Sequence, residues 1–403
     1  MSSRVSIVRL EGYDDQAVVD AAVRRAIEPF GGMGRYVQSG KKVLLKVNLV
    51  APSRPELAVT THPAIVRAVI RLVKECGGIC YVGDGPGVGS TRVAAEGSGL
   101  LPMIEEEGAQ LLVFEDTAEY ENADNRIMKR IPLVRQLGEM DVLITLPKLK
   151  THCQMAYTGA LKNQYGLVPG AAKGQYHFRF QNRNVLADFM IDINRTAHPA
   201  LAIMDGVIGM EGPGPSGGTP RKIGAIVAGE DLTAVDTVCL TMIGLTVPEV
   251  PVSQAAVRGK FGEADLANIE IVGESLESMK IADYDLVKSP LNIMKILPLP
   301  RFMLRWLRRQ IAPAPRIDVK KCIRCRRCER GCPVKPAAIQ PLDESRKVND
   351  ATCIRCYCCH EFCPVKAIDL KRSLLMRVLN LDKICNGASR LLGRISALFR
   401  GSR

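Results

Sequence analysis

Two runs of cysteine constrain this chain more than anything else in it. Cys322-x-x-Cys325-x-x-Cys328-x-x-x-Cys332-Pro333 is followed, after a short spacer, by Cys353-x-x-Cys356-x-x-Cys359-x-x-x-Cys363-Pro364. A cube of four irons needs one thiolate per iron, and a loop with a cysteine at every third residue can wrap three of its corners. The fourth cysteine comes after a wider gap, ahead of a proline that turns the chain away, so it is directed to a second cube. The competing reading is a pair of zinc ribbons, but those usually place two C-x-x-C pairs on either side of a longer loop. Cys358 breaks no spacing and reads as a buried spare thiol. His360 reads as a neighbour of the ligands or a surface residue.

The charge divides at the same place as the cysteines. Residues 1–287 hold 29 Lys/Arg against 34 Asp/Glu, whereas residues 288–403 hold 26 against 8. Four of the 14 cysteines lie in the first part and ten in the second. One chain therefore carries two chemically different parts, and its 403 residues suffice for two or three domains with cores of their own. A composition 47% apolar and 24% charged is that of a globular protein, not a disordered or fibrous one. No apolar stretch reaches the roughly 18–20 residues of a spanning helix. Met1 to Gln16 carries Arg4, Arg9, Glu11, Asp14 and Asp15 where a signal peptide needs an apolar centre, so the expected location is the cytoplasm, where clustered thiols bind metal more often than they pair.

The first 287 residues alternate strand and helix signals. Apolar or β-branched runs recur at Val5–Leu10, Val43–Leu49, Ile79–Val82, Leu111–Phe114, Val142–Leu146, Leu201–Met204, Ala225–Val227 and Ile269–Val272, with helical spacing between most of them, as in Pro63–Glu75 and Leu186–Arg195. The expected fold class is α/β, a mainly parallel sheet with helices on both faces, plus a small C-terminal α+β domain. Ligands of such sheets bind beyond the carboxyl ends of the strands. Directly after these runs come Gly-Asp-Gly-Pro-Gly (83–87), Pro-Lys-Leu-Lys-Thr-His (147–152) and Met-Asp-Gly (204–206), which would converge on one rim.

The candidate residues each have a bland alternative. His62, before Pro63, either caps a helix or serves a site. The segment Asp84–Ser90 offers backbone amides to an anion but lacks the P-loop ending, and a tight turn explains it equally. Lys148, Lys150, His152 and Lys162 cluster after a buried strand, where a solvated basic face is the ordinary reading. His177 sits in Tyr-His-Phe-Arg-Phe, where aromatic packing competes with catalysis. Asp205 and Glu211, in a glycine-proline stretch over 204–215, are candidate acids, and such loops more often serve sites than cores.

The domain plan is 1–287 as an α/β domain with a polar cleft, 288–315 as a basic proline-broken linker, 316–371 as a two-cluster domain, and 372–403 as a basic amphipathic helix. Arg301–Ile311, with Trp306 on its apolar face, and the run from Ala388 to Phe399 are basic amphipathic pieces flanking the cysteines.

The cysteine block resembles the bacterial two-cluster ferredoxin over about residues 316–371, with both motifs intact. That resemblance implies one [4Fe-4S] cluster on Cys322, Cys325, Cys328 and Cys363, and another on Cys353, Cys356, Cys359 and Cys332. The blocks Lys-Val-Asn-Leu (46–49), Thr-His-Pro (61–63), Gly-Asp-Gly-Pro-Gly (83–87), Leu-Pro-Lys-Leu-Lys-Thr-His (146–152), Thr-Gly-Ala-Leu-Lys-Asn (158–163) and Met-Asp-Gly-Val-Ile-Gly-Met-Glu-Gly-x-Gly-Pro (204–215) resemble the family named domain of unknown function 362, often fused to a ferredoxin module. That likeness implies an α/β domain with a polar cleft that exchanges electrons with the fused clusters.

These readings lead to two functional expectations. In the first, two [4Fe-4S] clusters relay electrons between a redox partner protein and an anionic small-molecule substrate in the N-terminal cleft; Lys148, Lys150 and Lys162 bind the anionic group, and His152 or His177 moves protons. In the second, the chain is a non-enzymatic carrier or assembly subunit docking an acidic or membrane partner. The amphipathic pieces are compatible with peripheral contact at the inner face of a membrane or with packing on the protein itself. Nucleic acid is disfavoured for want of aromatic interleaving. No short motif signals a nicotinamide or a flavin, and flavin stays open because its sites often lack one.

Overall fold

In the computed structural model the described residues are 3–87, 89–170, 172–287, 312–342 and 347–371. Most of the linker, with Trp306, and the whole of 372–403, with Cys385, lie outside them. The chain divides into two compact units, Met1–Leu286 and Val287–Arg403.

In the first unit the strands are β1 (Ser3–Arg9), β2 (Lys42–Lys46), β3 (Ile79–Asp84), β4 (Gln110–Val113), a hairpin of β5 (Thr117–Glu121) and β6 (Arg130–Val134), β7 (Val142–Thr145), β8 (Lys148–His152), β9 (Ala156–Thr158), β10 (Leu201–Glu211), β11 (Thr219–Gly229) and β12 (Ile269–Gly273). The helices are α1 (Gln16–Ile27), α2 (Pro63–Glu75), α3 (Thr91–Gly97), α4 (Leu100–Glu106), α5 (Ala160–Asn163), α6 (Ala172–Arg179), α7 (Arg183–Ala197), α8 (Leu232–Met242) and α9 (Pro251–Gly259). Apart from the hairpin, the strands form one sheet in the order β12-β1-β11-β10-β7-β2-β3-β4, with β8 alongside β10 and β9 beyond it. Along the main path only β11 runs against its neighbours. All eight expected strands are present.

Alternation along the strands fills two apolar layers. Leu44, Ala202, Met204, Ala225 and Val227 face the layer built by α7, α8 and α9, while Val43, Leu45, Leu201, Ile203, Ile226 and Ala228 face that of α1, α2 and α4. Helices thus cover both faces, which is why the strands read as nearly continuous apolar runs. α2 shows the local logic: His62 caps it, Pro63 occupies its first turn, and Ile65, Val66, Val69, Ile70 and Val73 are buried, each such burial contributing about 1.5–3 kcal/mol.

Topology locates the functional rim. From β2 the chain moves outward through β3 to β4, then returns to the other side of β2 as β7. Strand order reverses between β2 and β7, and a crevice at such a point is where open parallel sheets bind ligands. Two features differ from the sequence-based expectation. The 204–215 stretch is strand as far as Glu211 because Gly206 and Gly209 let β8 and β11 lie close against β10. Lys148–His152 is also a strand, pairing with β10 and β9, with its lysines inside the protein.

The second unit is a small repeat. β13 (Ala314–Ile317) pairs antiparallel with β14 (Ile368–Lys371). Two one-turn helices, α10 (Arg327–Arg330) and α11 (Cys358–Glu361), carry Cys328 and Cys359. Gly331 packs on Phe362, and a Cβ there would come within 2.4 Å of the ring.

Candidate functional site

At the carboxyl ends of β2 and β3, and just beyond β7 along β8, the first unit buries charged side chains that an ordinary core would exclude. Lys46, at the end of β2, lies 2.8 Å from Asp84 at the end of β3, with the two side chains 0% and 5% exposed. Lys148, on β8, lies 2.8 Å from Asp205 on β10, at 1% and 0%. Burying a charge costs several kcal/mol per ion, and the attraction of a close partner only partly repays it. Two such pairs beside the strand-order reversal are therefore better explained by chemistry than by stability.

Around the first pair, amide side chains form a connected network. Lys46 Nζ donates to the Val47 carbonyl at 2.8 Å. Asn48 Nδ2 donates to Asn163 Oδ1 at 3.0 Å, and Asn163 Nδ2 donates to the Lys46 carbonyl and to Thr145 Oγ1. Lys150, fully buried, donates to Asn48 Oδ1 at 2.7 Å and to the Val59 carbonyl at 2.6 Å. Asp84 Oδ2 accepts from the Leu49 amide at 2.6 Å. Gly166 lies directly over this pair: a Cβ there would stand 1.9 Å from Asp84 Oδ1 and 2.5 Å from Lys46 Nζ. The buried Thr60 hydroxyl, two residues before the N-cap of α2, has no partner among the described residues.

The second pair is tied to two partly exposed rings, Tyr13 and His62. Tyr13 Oη donates to Asp205 Oδ1 at 2.6 Å and accepts from Lys148 Nζ at 3.0 Å and from the Ile208 amide at 3.1 Å. The His62 amide donates to Asp205 Oδ2 at 2.9 Å. The Tyr13 and His62 rings stack, 3.6 Å apart and 4° from parallel. Because His62 Nδ1 accepts from the Ala64 amide at 3.2 Å, the neutral ring carries its proton on Nε2.

Burial sets the electrostatics. It lowers both Lys46 and Lys148, and the carboxylate beside each limits the fall. For Asp205 burial pushes upward, but Lys148, Tyr13 Oη and the His62 amide outweigh it and hold the carboxyl below its usual range. Burial, then the Asp205 charge, raises Tyr13 well above an ordinary phenol. Burial also pulls His62 down to about 4, so it is neutral near pH 7. The arrangement offers buried cations for an anionic group and a lysine–tyrosine pair for proton donation.

The sequence candidates are distributed as follows. Lys148, Lys150 and the His62 backbone belong to this network. His152, buried at the end of β8, accepts from the Gln154 and Met155 amides through Nδ1 and so closes a turn. His177 is buried on α6 edge-on to Tyr165 at 5.9 Å, with Nδ1 lacking a partner among the described residues. Burial, then the charge of half-buried Lys162, pulls it down to about 3. Tyr13, Lys46, Asn48, Asp84 and Asn163 were not singled out as site residues from sequence. Lys46, Asn48, Asp84 and Asn163 lie in the quoted motif blocks, and position at a strand's carboxyl end was the available signal.

In the second unit the cysteines line two cavities. One is lined by Cys322, Cys325, Cys328 and Cys363 together with Ile323 and Val365. The other is lined by Cys332, Cys353, Cys356 and Cys359 among Val334, Ile339 and Val348. Each fourth ligand thus crosses to the other motif's cavity, and Cys358 lines neither. Both loops place the residues flanking the middle cysteine in the left-handed region: Arg324 at φ 55° and Arg326 at 61°, Arg355 at 56° and Tyr357 at 63°. Left-handed non-glycine backbone is costly and persists where the surroundings require it. Here it folds the loop around the cavity, as in the nests of backbone amides that hold iron–sulfur centres. Burial, and then the nearby thiols Cys363, Cys325 and Cys322, helps push Cys328 up to about 12. Four cysteines line each cavity, the ligand number of a [4Fe-4S] cluster, so the residues present fit one in each.

Comparisons with known proteins agree with this division. The family model described as "Domain of unknown function (DUF362)" matches residues 43–241. The one described as "4Fe-4S dicluster domain" matches residues 314–364. Among curated proteins, the thylakoid-associated protein sll1697 of Synechocystis sp. is 34% identical over 259 residues, which is 64% of this chain and 80% of that protein. Among solved structures, the lactate racemase apoprotein from Thermoanaerobacterium thermosaccharolyticum is similar with a TM-score of 0.39 and 14% identity, over 60% of this chain and 58% of that one. Among the described residues no helix is long and apolar enough to cross a membrane.

Proposed function

We propose, from the premise that this chain belongs to the DUF362 family of domains of unknown function and carries a 4Fe-4S dicluster domain, that it is an iron–sulfur oxidoreductase. Two [4Fe-4S] clusters exchange electrons with a substrate at the rim of the N-terminal sheet. The observation that carries the electron-transfer part is the crossed pair of cysteine-lined cavities. Bound there, the clusters supply single-electron transfer at low potential.

The chain's own residues supply the rest. Lys46 and Lys150 hold an anionic group of the substrate, with the Asn48 and Asn163 amides fixing their direction. Lys148 and Tyr13 donate the proton that accompanies charge added to the substrate, and Asp205 keeps both in place. A two-electron reduction in this scheme takes two electrons singly from an external protein donor and two protons from solvent through this pair; oxidation runs the same steps in reverse. The proton role goes to Tyr13 and Lys148 rather than to His152 or His177, because His152 is committed to a turn and His177 is buried edge-on to Tyr165.

The test is anaerobic. Fully reduced protein is mixed with panels of small carboxylates and phosphates, and reoxidation is followed optically. At least one compound is expected to reoxidise the wild type faster than solvent does, and Lys150→Met is expected to abolish that gain while leaving the iron content unchanged. Reoxidation that no compound accelerates would favour the second reading, a carrier or assembly subunit. The name of the thylakoid-associated relative adds weight to peripheral membrane contact by the basic flanking segments. Cosedimentation with anionic vesicles, lost without 372–403, tests that contact.

A further inference from the structure

The two cysteine-lined cavities differ in their surroundings. The second is walled by side chains that are themselves buried: Val334, Ile339, Val348 and Tyr357 are all under 9% exposed. The first is lined by two large apolar side chains that are exposed, Ile323 at 61% and Val365 at 36%, and the exposed Val319 and Leu342 lie close in sequence to its lining residues. Ile323 and Val365 line the cavity itself, and Leu342 follows Pro341, which also does. Single exposed apolar residues are ordinary, but a group of them around one opening marks a contact surface.

The charge around that opening is mainly positive. Between Asp318 and Arg330 there are six basic residues against two acidic ones. Those two acids are already engaged, Asp318 near Lys321 at 3.7 Å and Glu329 with Arg326 at 2.9 Å. Lys320, Lys321, Arg324 and Arg326 are exposed around the apolar centre, and Lys366 is exposed beside Val365.

We propose that this face is the docking surface for an acidic electron-transfer protein, which delivers or collects electrons at the Cys322/Cys325/Cys328/Cys363 site by setting carboxylates around an apolar contact. The proposal rests on the iron–sulfur reading above and adds to it which site faces the partner and what chemistry the partner has. Opposite charge steers the encounter and fixes the register, and the apolar centre excludes water at closest approach. The alternatives fit less well. The chain's own segment 372–403 holds seven basic residues against one acidic and would be repelled. A lipid surface would seal the cavity opening against hydrocarbon and bring no electron donor to it.

The experiment uses full-length protein with its clusters, and reduced flavodoxin as an acidic probe. Complex formation is measured by calorimetry, with oxidised probe, and cluster reduction by stopped flow against dithionite as a small donor. Binding and flavodoxin-driven reduction are expected to weaken at least tenfold between low and moderate salt. Arg324→Glu with Lys320→Glu should weaken both by a further factor of about ten or more, and Ile323→Ser with Val365→Ser should weaken binding at all salt concentrations. In the charge variant, dithionite reduction, iron content and the spectrum of the reduced clusters should remain those of the wild type. Unchanged binding in both variants would overturn the proposal while leaving the clusters intact, whereas lost iron in the wild type would instead overturn the underlying reading. Anionic vesicles that bind the wild type, fail to bind the variants, and block flavodoxin would assign the face to a membrane and also overturn it.

Discussion

Replacing Lys148 by methionine removes one charge from a pair that water does not reach. Asp205 is then left fully buried with only the Tyr13 hydroxyl and the amides of His62 and Val207 as donors. Stranding a buried charge costs about 3–5 kcal/mol, and the surviving donors place this case near 3–4. At about 2 °C per kcal/mol for a unit of this size, the melting temperature should fall by about 6–8 °C. Asp205→Asn strands Lys148 instead and should cost a similar amount. The double variant carries no buried charge here, so its total cost should stay near 4 kcal/mol, not the ~7 of the sum, a coupling of ~3 kcal/mol. Urea melts of the four proteins give the cycle. Additivity within about 0.5 kcal/mol would refute the reasoning, because the two groups would then not form a desolvated pair. A stable double variant that no longer turns over a substrate accepted by the wild type would separate the pair's chemical role from its structural one.

Further expectations follow from other parts of the structure. His177, held near 3 when folded and ordinary when unfolded, is buried neutral; the unfolded chain therefore binds more protons below about pH 6.5, and some 2 kcal/mol of stability should be lost between pH 7 and pH 5. His177→Leu should flatten that slope, and an unchanged slope in pH-dependent urea melts would count against its burial. Gly166→Ala drives a methyl group into the Lys46–Asp84 pair and should destabilise by more than about 2 kcal/mol. Gly34→Ala, whose Cβ would meet nothing nearer than 3.9 Å, should be close to neutral in the same melts. Cys332→Ser and Cys363→Ser should each halve the bound iron, and the signal that survives should differ between them; identical losses would show that the fourth ligands do not cross.

What could be read from sequence depended on how local the determining physics is. The cysteine spacing is local, so the division of Cys322 to Cys363 between the two cavities was legible residue by residue. Strands buried on both faces announce themselves as apolar runs, as Val43–Leu49 and Val142–Leu146 did. β8 was harder, because Lys-Leu-Lys-Thr-His has the composition of a wet surface; only its pairing with β10 and β9 takes Lys148 and Lys150 inside. Glycines 206 and 209 resembled loop punctuation, whereas they are where neighbouring backbone and side chains pack against β10. Asp84 read as part of an amide-lined turn because its partner, Lys46, lies on another strand and is joined to it only by the β2–β3 register. Tyr13 carried no signal at all, since its partners Lys148 and Asp205 are more than 130 residues away.

The most direct test of the central claim is a joint measurement on anaerobically purified protein: iron and acid-labile sulfide counts together with the paramagnetic-resonance spectrum after full reduction. Two crossed cysteine quartets predict about eight irons and eight sulfides per chain, with a broadened spectrum from two reduced [4Fe-4S] centres in magnetic contact. Zinc in place of iron, or a single uncoupled centre with about four irons, would contradict the account.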